Sequence, residues 1–382
     1  NVDLAINTPR LFGTTAPEYN PFSLTSFQNN FAGDGNAYYL GATRTPVTWG
    51  PKNICLAKLN ENQTLQWMYE YDYQVFDNLL VTDVINPNSI VLGAKNGSAH
   101  SFLINVNAGG GVSAAADFYF NVGSSDYIVV PSDFCATGSS SFASVGSIIL
   151  PGRTNIFFTT HALPGLGLTS DYSYEHNAMN LDPYQVIRAG DGYVIVGQAY
   201  SISNPSTGWG FVLKIQSNGT VDWARKIELG TNDIATAILQ KSDGSFWVAG
   251  DTDYDKVGTT GRNYTMTHLD ANGDLISAFY YRNDFKKSAS YLLQSPTGEM
   301  IIDGYYNDFK TNRILVRTLP NGEGLLCNSV PSNPEVDAVS ITLDSGDMIC
   351  TSTTVSATLL SPVTATPTYS VDETSCTDCN CE

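Results

Sequence analysis

Few side chains in this sequence stand at spacings that chemistry requires. The four histidines, His100, His161, His176 and His268, lie far apart and fit neither a His-Glu-x-x-His nor a His-x-His pattern. No Gly-x-Ser-x-Gly elbow, Walker loop or dinucleotide fingerprint occurs. Asp251, Asp253 and Asp255 form a short acidic run, but the rest of a calcium-binding EF-hand loop is missing, so they read as solvated loop carboxylates. Paired carboxylates for glycoside chemistry can be drawn from 37 acidic residues, which constrains nothing. No catalytic, cofactor-binding or metal-binding residue is therefore predicted, and no cofactor.

Covalent chemistry is better represented. The seven cysteines, Cys55, Cys135, Cys327, Cys350, Cys376, Cys379 and Cys381, are an odd number. In a secreted chain they predict three disulfides, with one thiol left for an intermolecular bond. The pairing is not legible in the spacing. Cys376, Cys379 and Cys381 offer a zinc ion three ligands, but no nearby His supplies a fourth, and disulfides are the preferred reading. Four Asn-x-Ser/Thr sequons, at Asn62, Asn96, Asn218 and Asn263, are candidate N-glycosylation sites. Asn62 and Asn218 occupy equivalent turns, so a turn asparagine with a chance threonine two residues on accounts for them as well.

The bulk properties restrict the partners. Charged residues are 15% of the chain, against roughly 25% in an ordinary soluble protein, so polarity rests on Ser, Thr, Asn and Gly. That vocabulary suits an extracellular all-β protein. The formal charge of −18 repels phosphate backbones and anionic lipid, which argues against nucleic-acid and membrane-surface partners. No run of 18 apolar residues exists to span a membrane. The start at Asn1, without an initiator Met or a basic-then-apolar leader, is read as a mature secreted chain after signal removal.

Positioning falls to a repeat. Ala189-Gly-Asp-Gly-Tyr-Val-Ile-Val-Gly197, Ser242-Asp-Gly-Ser-Phe-Trp-Val-Ala-Gly250 and Pro296-Thr-Gly-Glu-Met-Ile-Ile-Asp-Gly304 are each a turn, an apolar run and a closing glycine. Weaker copies close at Gly41, Gly93 and Gly146, and a last one, Asp344-Ser-Gly-Asp-Met-Ile-Cys-Thr351, ends in Thr. These seven positions recur every 47 to 54 residues. Such a period marks stacked supersecondary units.

Turn chemistry orders the strands inside a unit. Asp191-Gly192, Asp243-Gly244 and Ser345-Gly346 mark a first hairpin, and Asn218-Gly219, Asn272-Gly273 and Asn321-Gly322 a second, read as type I′ turns. Inner strands such as Ile234–Gln240, middle strands such as Phe211–Ile215, and outer strands such as Val221–Ile227 complete four antiparallel strands per unit. No stretch carries a sustained helical period with caps.

This pattern resembles the delta-sixty type of propeller repeat of bacterial secreted and surface proteins, over about residues 20–351. The resemblance implies a β-propeller and an extracellular setting, and carries no catalytic motif. Asp243-Gly-Ser-Phe-Trp approaches the Asp box of sialidase propellers but lacks a residue between Asp and Gly. The expected fold is all-β: a seven-bladed β-propeller of four-stranded antiparallel blades at 21–354. It is flanked by extended N- and C-terminal segments, 1–20 and the Ser/Thr/Pro-rich, Cys-containing 355–382. Val2–Ile6 can close the last blade or add to a neighbouring subunit, and the low-complexity tail orders by docking on this propeller or another copy. The functional expectation is a non-enzymatic structural or adhesive surface protein, a filament subunit joined through its ends. Its partners would be further copies, another surface protein or a glycan. The alternative is a secreted propeller that binds or cleaves glycans at its axial mouth.

Overall fold

The computed structural model describes residues 11–14, 31–33, 37–44, 53–60, 64–72, 77–96, 100–122, 125–254, 262–281, 287–295, 297–308, 310–324, 329–344, 348–352, 356–359 and 362–365. All regular structure among them is strand, and no helix is long and apolar enough to cross a membrane.

A short strand, β1 (Leu11–Thr14), comes first, and six antiparallel meanders follow. The first sheet is β2 (Phe31–Gly33), β3 (Ala37–Arg44), β4 (Asn53–Asn60) and β5 (Leu65–Asp72). The second is β6 (Asp77–Asn86), β7 (Ser89–Asn96), β8 (Ser101–Val106) and β9 (Val112–Val122). The third is β10 (Ser125–Gly138), β11 (Ser141–Leu150), β12 (Arg153–Ala162) and β13 (Gly167–Glu175). The fourth is β14 (Met179–Ala189), β15 (Gly192–Ser201), β16 (Gly208–Gln216) and β17 (Val221–Glu228). The fifth is β18 (Asp233–Gln240), β19 (Phe246–Thr252), β20 (Asn263–Leu269) and β21 (Leu275–Tyr281). The sixth holds β22 (Lys287–Gln294), β23 (Met300–Asp308) and β24 (Lys310–Thr318).

The described residues from Ser329 on add short strands to these meanders. They form β25 (Ser329–Ser332), β26 (Glu335–Ala338), β27 (Thr342–Asp344), β28 (Met348–Ser352), β29 (Ser356–Leu359) and β30 (Pro362–Ala365). β25 pairs antiparallel with β21, β26 with β17, β27 with β13, β28 with β9 and β29 with β5. The outer edges of sheets five to one are thus capped in reverse chain order. β30 pairs with β1.

The expected seven four-stranded blades are corrected by this topology. Among the described residues there are six meanders, the second and third joined through β9 and β10 into one ten-stranded sheet, and five of the meanders carry an added strand from the C-terminal run. The seventh marker is no meander, since its parts fall in β27 and β28, which pair with β13 and β9 and not with each other. What stands is an all-β fold of repeated antiparallel meanders. The expected first inner strand near Phe22–Gln28 and the closing strand Val2–Ile6 lie outside the described residues.

The closing glycine of the marker has a physical cause. Ala235 of β18 faces Gly250 of β19, and a β-bulge follows at once, before Ala237 meets Ala249. The same step separates Pro131 from Asp133 opposite Gly146, Pro183 from Gln185 opposite Gly197, and Ala289 from Tyr291 opposite Gly304. A bulge kinks its strand toward the neighbour. A Cβ added at Gly250 would collide with the carbonyl oxygen of Ile234. Thr351 replaces glycine in the seventh marker because β28 lies against the outer strand β9, where Thr351 faces Asp117 in an unbroken register.

The second hairpins also differ from expectation. Gly219 N–H donates to Gln216 O at 2.9 Å, and Gln216 N–H to Thr220 O at 2.9 Å. Only the glycine has positive φ, 80°, whereas a type I′ turn needs two such residues. The register skips one residue between Lys214 and Ile215, so the loop is a type I turn followed by a glycine bulge.

The chain divides into two compact units. The first takes in described residues of Asn1–Ile149, Phe157–Tyr172 and Gly346–Glu373. There Tyr39 and Leu56 of sheet one pack with Leu92 and Phe102 of sheet two. Val91 and Leu103 of sheet two pack with Phe134 and Phe142 of sheet three. The second unit takes in described residues of Leu150–Ile156 and Ser173–Ser345. There Val194 and Val212 of sheet four meet Phe246 and Val248 of sheet five, and Trp247 and Met266 of sheet five meet Leu292 and Ile302 of sheet six. Sheets covered on both faces explain why β8 and β19 are buried at every position.

Candidate functional site

A dense polar cluster lies in the second unit, where β14 and β18 begin and β15 and β19 end. The loop 229–232 enters β18 with its backbone amides exposed to capping. Asp233, 4% exposed, accepts Leu229 N–H at 2.8 Å and Gly230 N–H at 3.0 Å. Asp253 accepts Thr231 N–H at 2.7 Å and Asn232 N–H at 3.0 Å, and also the Thr231 hydroxyl. Gln198 of β15 donates to Asn232 Oδ1 at 2.6 Å. Arg262 donates from Nη2 to the carbonyls of Asn232 and Asp251. Asp251, 1% exposed, accepts the N–H of Ala289 at 2.9 Å and ties sheet five to the inner strand of sheet six.

Electrostatics follow from these contacts. Burial pushes the Asp233 carboxyl up, against the hydrogen bonds from Thr252, Leu229 and Gly230. Burial acts the same way on Asp253, but the Thr231 and Asn232 bonds and the charge of Arg262 outweigh it and leave its pKa below the usual value. Tyr184 is held neutral by burial, then by the charges of Asp182 and Asp251, with Arg262 opposing. A general acid or base needs a carboxyl free to meet substrate. Asp233 and Asp253 instead satisfy loop amides, and Asp251 satisfies an inner-strand amide. The cluster splices loop to strand and sheet to sheet. The expected solvated loop carboxylates are thus corrected: Asp251 is buried and Asp253 half-buried, while Asp255 lies outside the described residues.

A second arrangement brings a serine, a histidine and an aspartate together. Ser245 Oγ donates to Asp243 Oδ1 at 2.6 Å, and His268 Nε2 lies 2.9 Å from Ser245 Oγ. The serine proton is directed at the carboxylate, so the imidazole is not placed to remove it. Its ring stacks on Trp247 at 4.2 Å, and the row braces the turn from exposed Asp243 to half-buried His268. His161 is buried, hydrogen-bonded to Thr159 at 2.9 Å and stacked on Phe142 at 4.9 Å. His100 stacks on Tyr119 at 4.5 Å, and His176 packs edge-on against Trp209. No group of three or more His, Cys, Asp or Glu able to hold a metal ion exists among the described residues.

The other predicted residues are scattered. Cys55 is buried in β4, Cys135 half-buried in β10 and Cys350 half-buried in β28, all three as thiols. Burial, with Asp117 adding, pushes the Cys350 thiol up to about 11, and it donates to Leu166 O at 3.3 Å. Cys327, Cys376, Cys379 and Cys381 lie outside the described residues. Asn218 is exposed in its turn, and its Oδ1 accepts Thr220 N–H at 3.0 Å. Asn263 is 1% exposed and its amide donates to Tyr254 O at 2.8 Å, a placement that offers no surface to a glycosyltransferase. Asn96 ends β7, and Asn62 lies outside the described residues.

One device escaped sequence reasoning. Outer-strand tyrosines reach the glycine carbonyl of the next sheet's second hairpin: Tyr71 to Gly110 at 2.9 Å, Tyr174 to Gly219 at 2.8 Å, and Tyr281 to Gly322. The signal was present, because these tyrosines recur in every second unit.

No protein-family model matches the chain, and no curated protein does. Solved structures offer distant likenesses. A protein of unknown function from Bacteroides caccae shares 11% identity at a TM-score of 0.45, covering 73% of this chain and 90% of its own. A subtype N11 neuraminidase-like protein of A/flat-faced bat/Peru/033/2010 (H18N11) shares 9% at 0.46, covering 81% and 96%. The tail fiber of Staphylococcus aureus phage P68 shares 6% at 0.21, covering 85% and 96%.

Proposed function

We propose that this chain is a non-enzymatic structural or adhesive protein of the extracellular surface, whose terminal segments carry its associations. The supporting observation is the C-terminal run, whose described strands between Ser329 and Leu359 pair with the last strands of five successive meanders. A bare sheet edge is a template for uncontrolled pairing with other chains. Capping five edges with one segment gives a unit that resists pulling and leaves growth to chosen contacts. The resemblance to delta-sixty repeats suits the same setting, and the commitment of the Asp233, Asp251 and Asp253 carboxylates to backbone amides weighs against hydrolysis. The test is the assembly state of the purified chain, by light scattering and electron microscopy, beside polysaccharide cleavage and glycan binding. Ordered oligomers or filaments without cleavage are expected. A monomer that cleaves or selectively binds a polysaccharide overturns the reading.

A further inference from the structure

Two sequons, Asn218-Gly-Thr220 and Asn263-Tyr-Thr265, hold their asparagines in opposite surroundings. Asn218 and Thr220 are exposed, and Gly219 between them is buried, with φ of 80°. Asn218 Oδ1 accepts Thr220 N–H at 3.0 Å, an Asx turn that uses the oxygen of the amide and leaves its nitrogen to solvent. Gly219 N–H donates to Gln216 O at 2.9 Å, and Gly219 O accepts the Tyr174 hydroxyl of sheet three at 2.8 Å, so the turn is fixed in place. Asn263 is 1% exposed, and its Nδ2 donates to Tyr254 O at 2.8 Å. The turn geometry accounts for Asn218 and Gly219. Of Thr220 it uses only the backbone, through the N–H to Asn218 and the carbonyl that accepts Gln216 N–H at 2.9 Å.

We propose that Asn218 carries an N-linked glycan and that Asn263, despite its matching motif, does not. The donor is an oligosaccharide on a lipid pyrophosphate, presented by a membrane transferase. Nδ2 of Asn218 attacks the anomeric carbon of the first sugar. The bond from that carbon to the pyrophosphate oxygen breaks, its electron pair leaves with the lipid pyrophosphate, and the amide gives up one proton. The Thr220 hydroxyl, which marks the asparagine as an acceptor, is exposed beside it. At Asn263 the same bond would force a bulky polar group into the start of β20, where the amide nitrogen is already spent. Modification of this kind rests on the extracellular setting proposed above, which brings the chain past such an enzyme. Its consequence concerns a sheet edge. The turn leads into β17, which β26 pairs from Arg225 to Glu228. Among the described residues no capping strand pairs with Val221 to Trp223, and a glycan at Asn218 shields that stretch from pairing with another chain.

The test supplies the full chain with a secretion signal and produces it in eukaryotic cells. The secreted protein is treated with peptide-N-glycosidase in heavy-oxygen water and then mapped by mass spectrometry, so that each asparagine that carried a glycan is read as a labelled aspartate. Label at Asn218 and none at Asn263 is expected. Thr220→Ala should abolish the label and Thr220→Ser should keep it. After deglycosylation both variants should denature in urea where the parent does, because the fold uses only the backbone at that position. A bare Asn218, a label that survives Thr220→Ala, or a labelled Asn263 in the secreted chain overturns the proposal. Since the signal is supplied, none of these outcomes bears on the extracellular setting, which is judged by where the source cells place the native chain.

Discussion

β19 and β26 are both antiparallel strands of the second unit, and they are held by different forces. All seven residues of β19 are buried, with Phe246 and Trp247 packed in opposite cores. Of the four residues of β26, three are exposed and only Val336 is half-buried. Full burial of one large apolar side chain is worth about 1.5–3 kcal/mol. A main-chain hydrogen bond nets about 0.5–1.5 kcal/mol and asks little of the side chain. A meander strand is therefore specified by its residues, and a capping strand by the edge it finds.

The glycine of the marker gives the sharpest way to break that contrast. In Gly250→Val the new side chain meets the backbone of Ile234, which cannot rotate away. The expected loss is at least about 3 kcal/mol, read by urea denaturation, or failure to fold. Thr351→Gly restores the consensus of the repeat at a capping position. It should nevertheless lower stability, by about 0.5–1 kcal/mol, since glycine costs entropy in a strand. A tolerated Gly250→Val would sink the bulge explanation.

That pair also shows where the sequence was informative. The period, the strand order and both hairpins were legible because Gly, Asn and Asp are chosen by backbone geometry, which acts locally. The seventh marker misled for the same reason. Asp344–Thr351 has strand-forming composition, but the choice between pairing with itself and pairing with β13 and β9 depends on edges distant in sequence. The polar cluster was half legible. The acidic run at Asp251 and Asp253 was visible, but the amides that consume it come from residues 229–232 and Ala289.

Two buried titratable groups of the meander strands, His161 and Asp83, respond to pH in opposite senses. Burial depresses the His161 pKa to about 4, with the Leu166 carbonyl opposing, from a reference of 6.5. Between those values the unfolded chain binds the proton and the folded one does not. The stabilisation is therefore full above pH 6.5 and is lost as pH falls toward 4, roughly 3 kcal/mol in all. Asp83 acts in the opposite sense: burial raises it from 3.8 to about 7, so its contribution is present at low pH and lost as pH rises through 7. In Asp83→Asn, denaturation midpoints should climb from pH 4.5 to 7, and His161→Phe in that background should flatten the climb. A flat profile before the second change would refute the assignment.

Tyr281→Phe removes the hydroxyl that meets Gly322 O and leaves that carbonyl without it, an expected loss of about 1–2 kcal/mol. Ile227 stands at the matching ladder position of sheet four, facing Gly210 as Tyr281 faces Tyr264, and has no hydroxyl to lose. Ile227→Val should cost about 0.5–1.5 kcal/mol through packing alone. Amide exchange tells them apart: only Tyr281→Phe should speed exchange in the 319–323 turn.

The smallest effect is expected where the capping strand meets charge. Lys226 Nζ lies 3.0 Å from Glu228, 3.0 Å from Glu335 and 3.8 Å from Asp337. Burial opposes its charge, but the bonds to Glu228 and Glu335 win and raise its pKa, so the contribution persists at neutral pH and is lost only above the usual lysine range. All three carboxylates reach solvent, so Lys226→Met should cost less than about 1 kcal/mol, and less still in high salt. The informative signal is local. Amides of β26 should exchange faster while those of β19 do not change, because local opening draws on the weakest contacts first. If Lys226→Met instead lowers global stability as much as Tyr281→Phe, β26 unfolds with the core, and the distinction between specified and opportunistic strands fails at the place where it should be clearest.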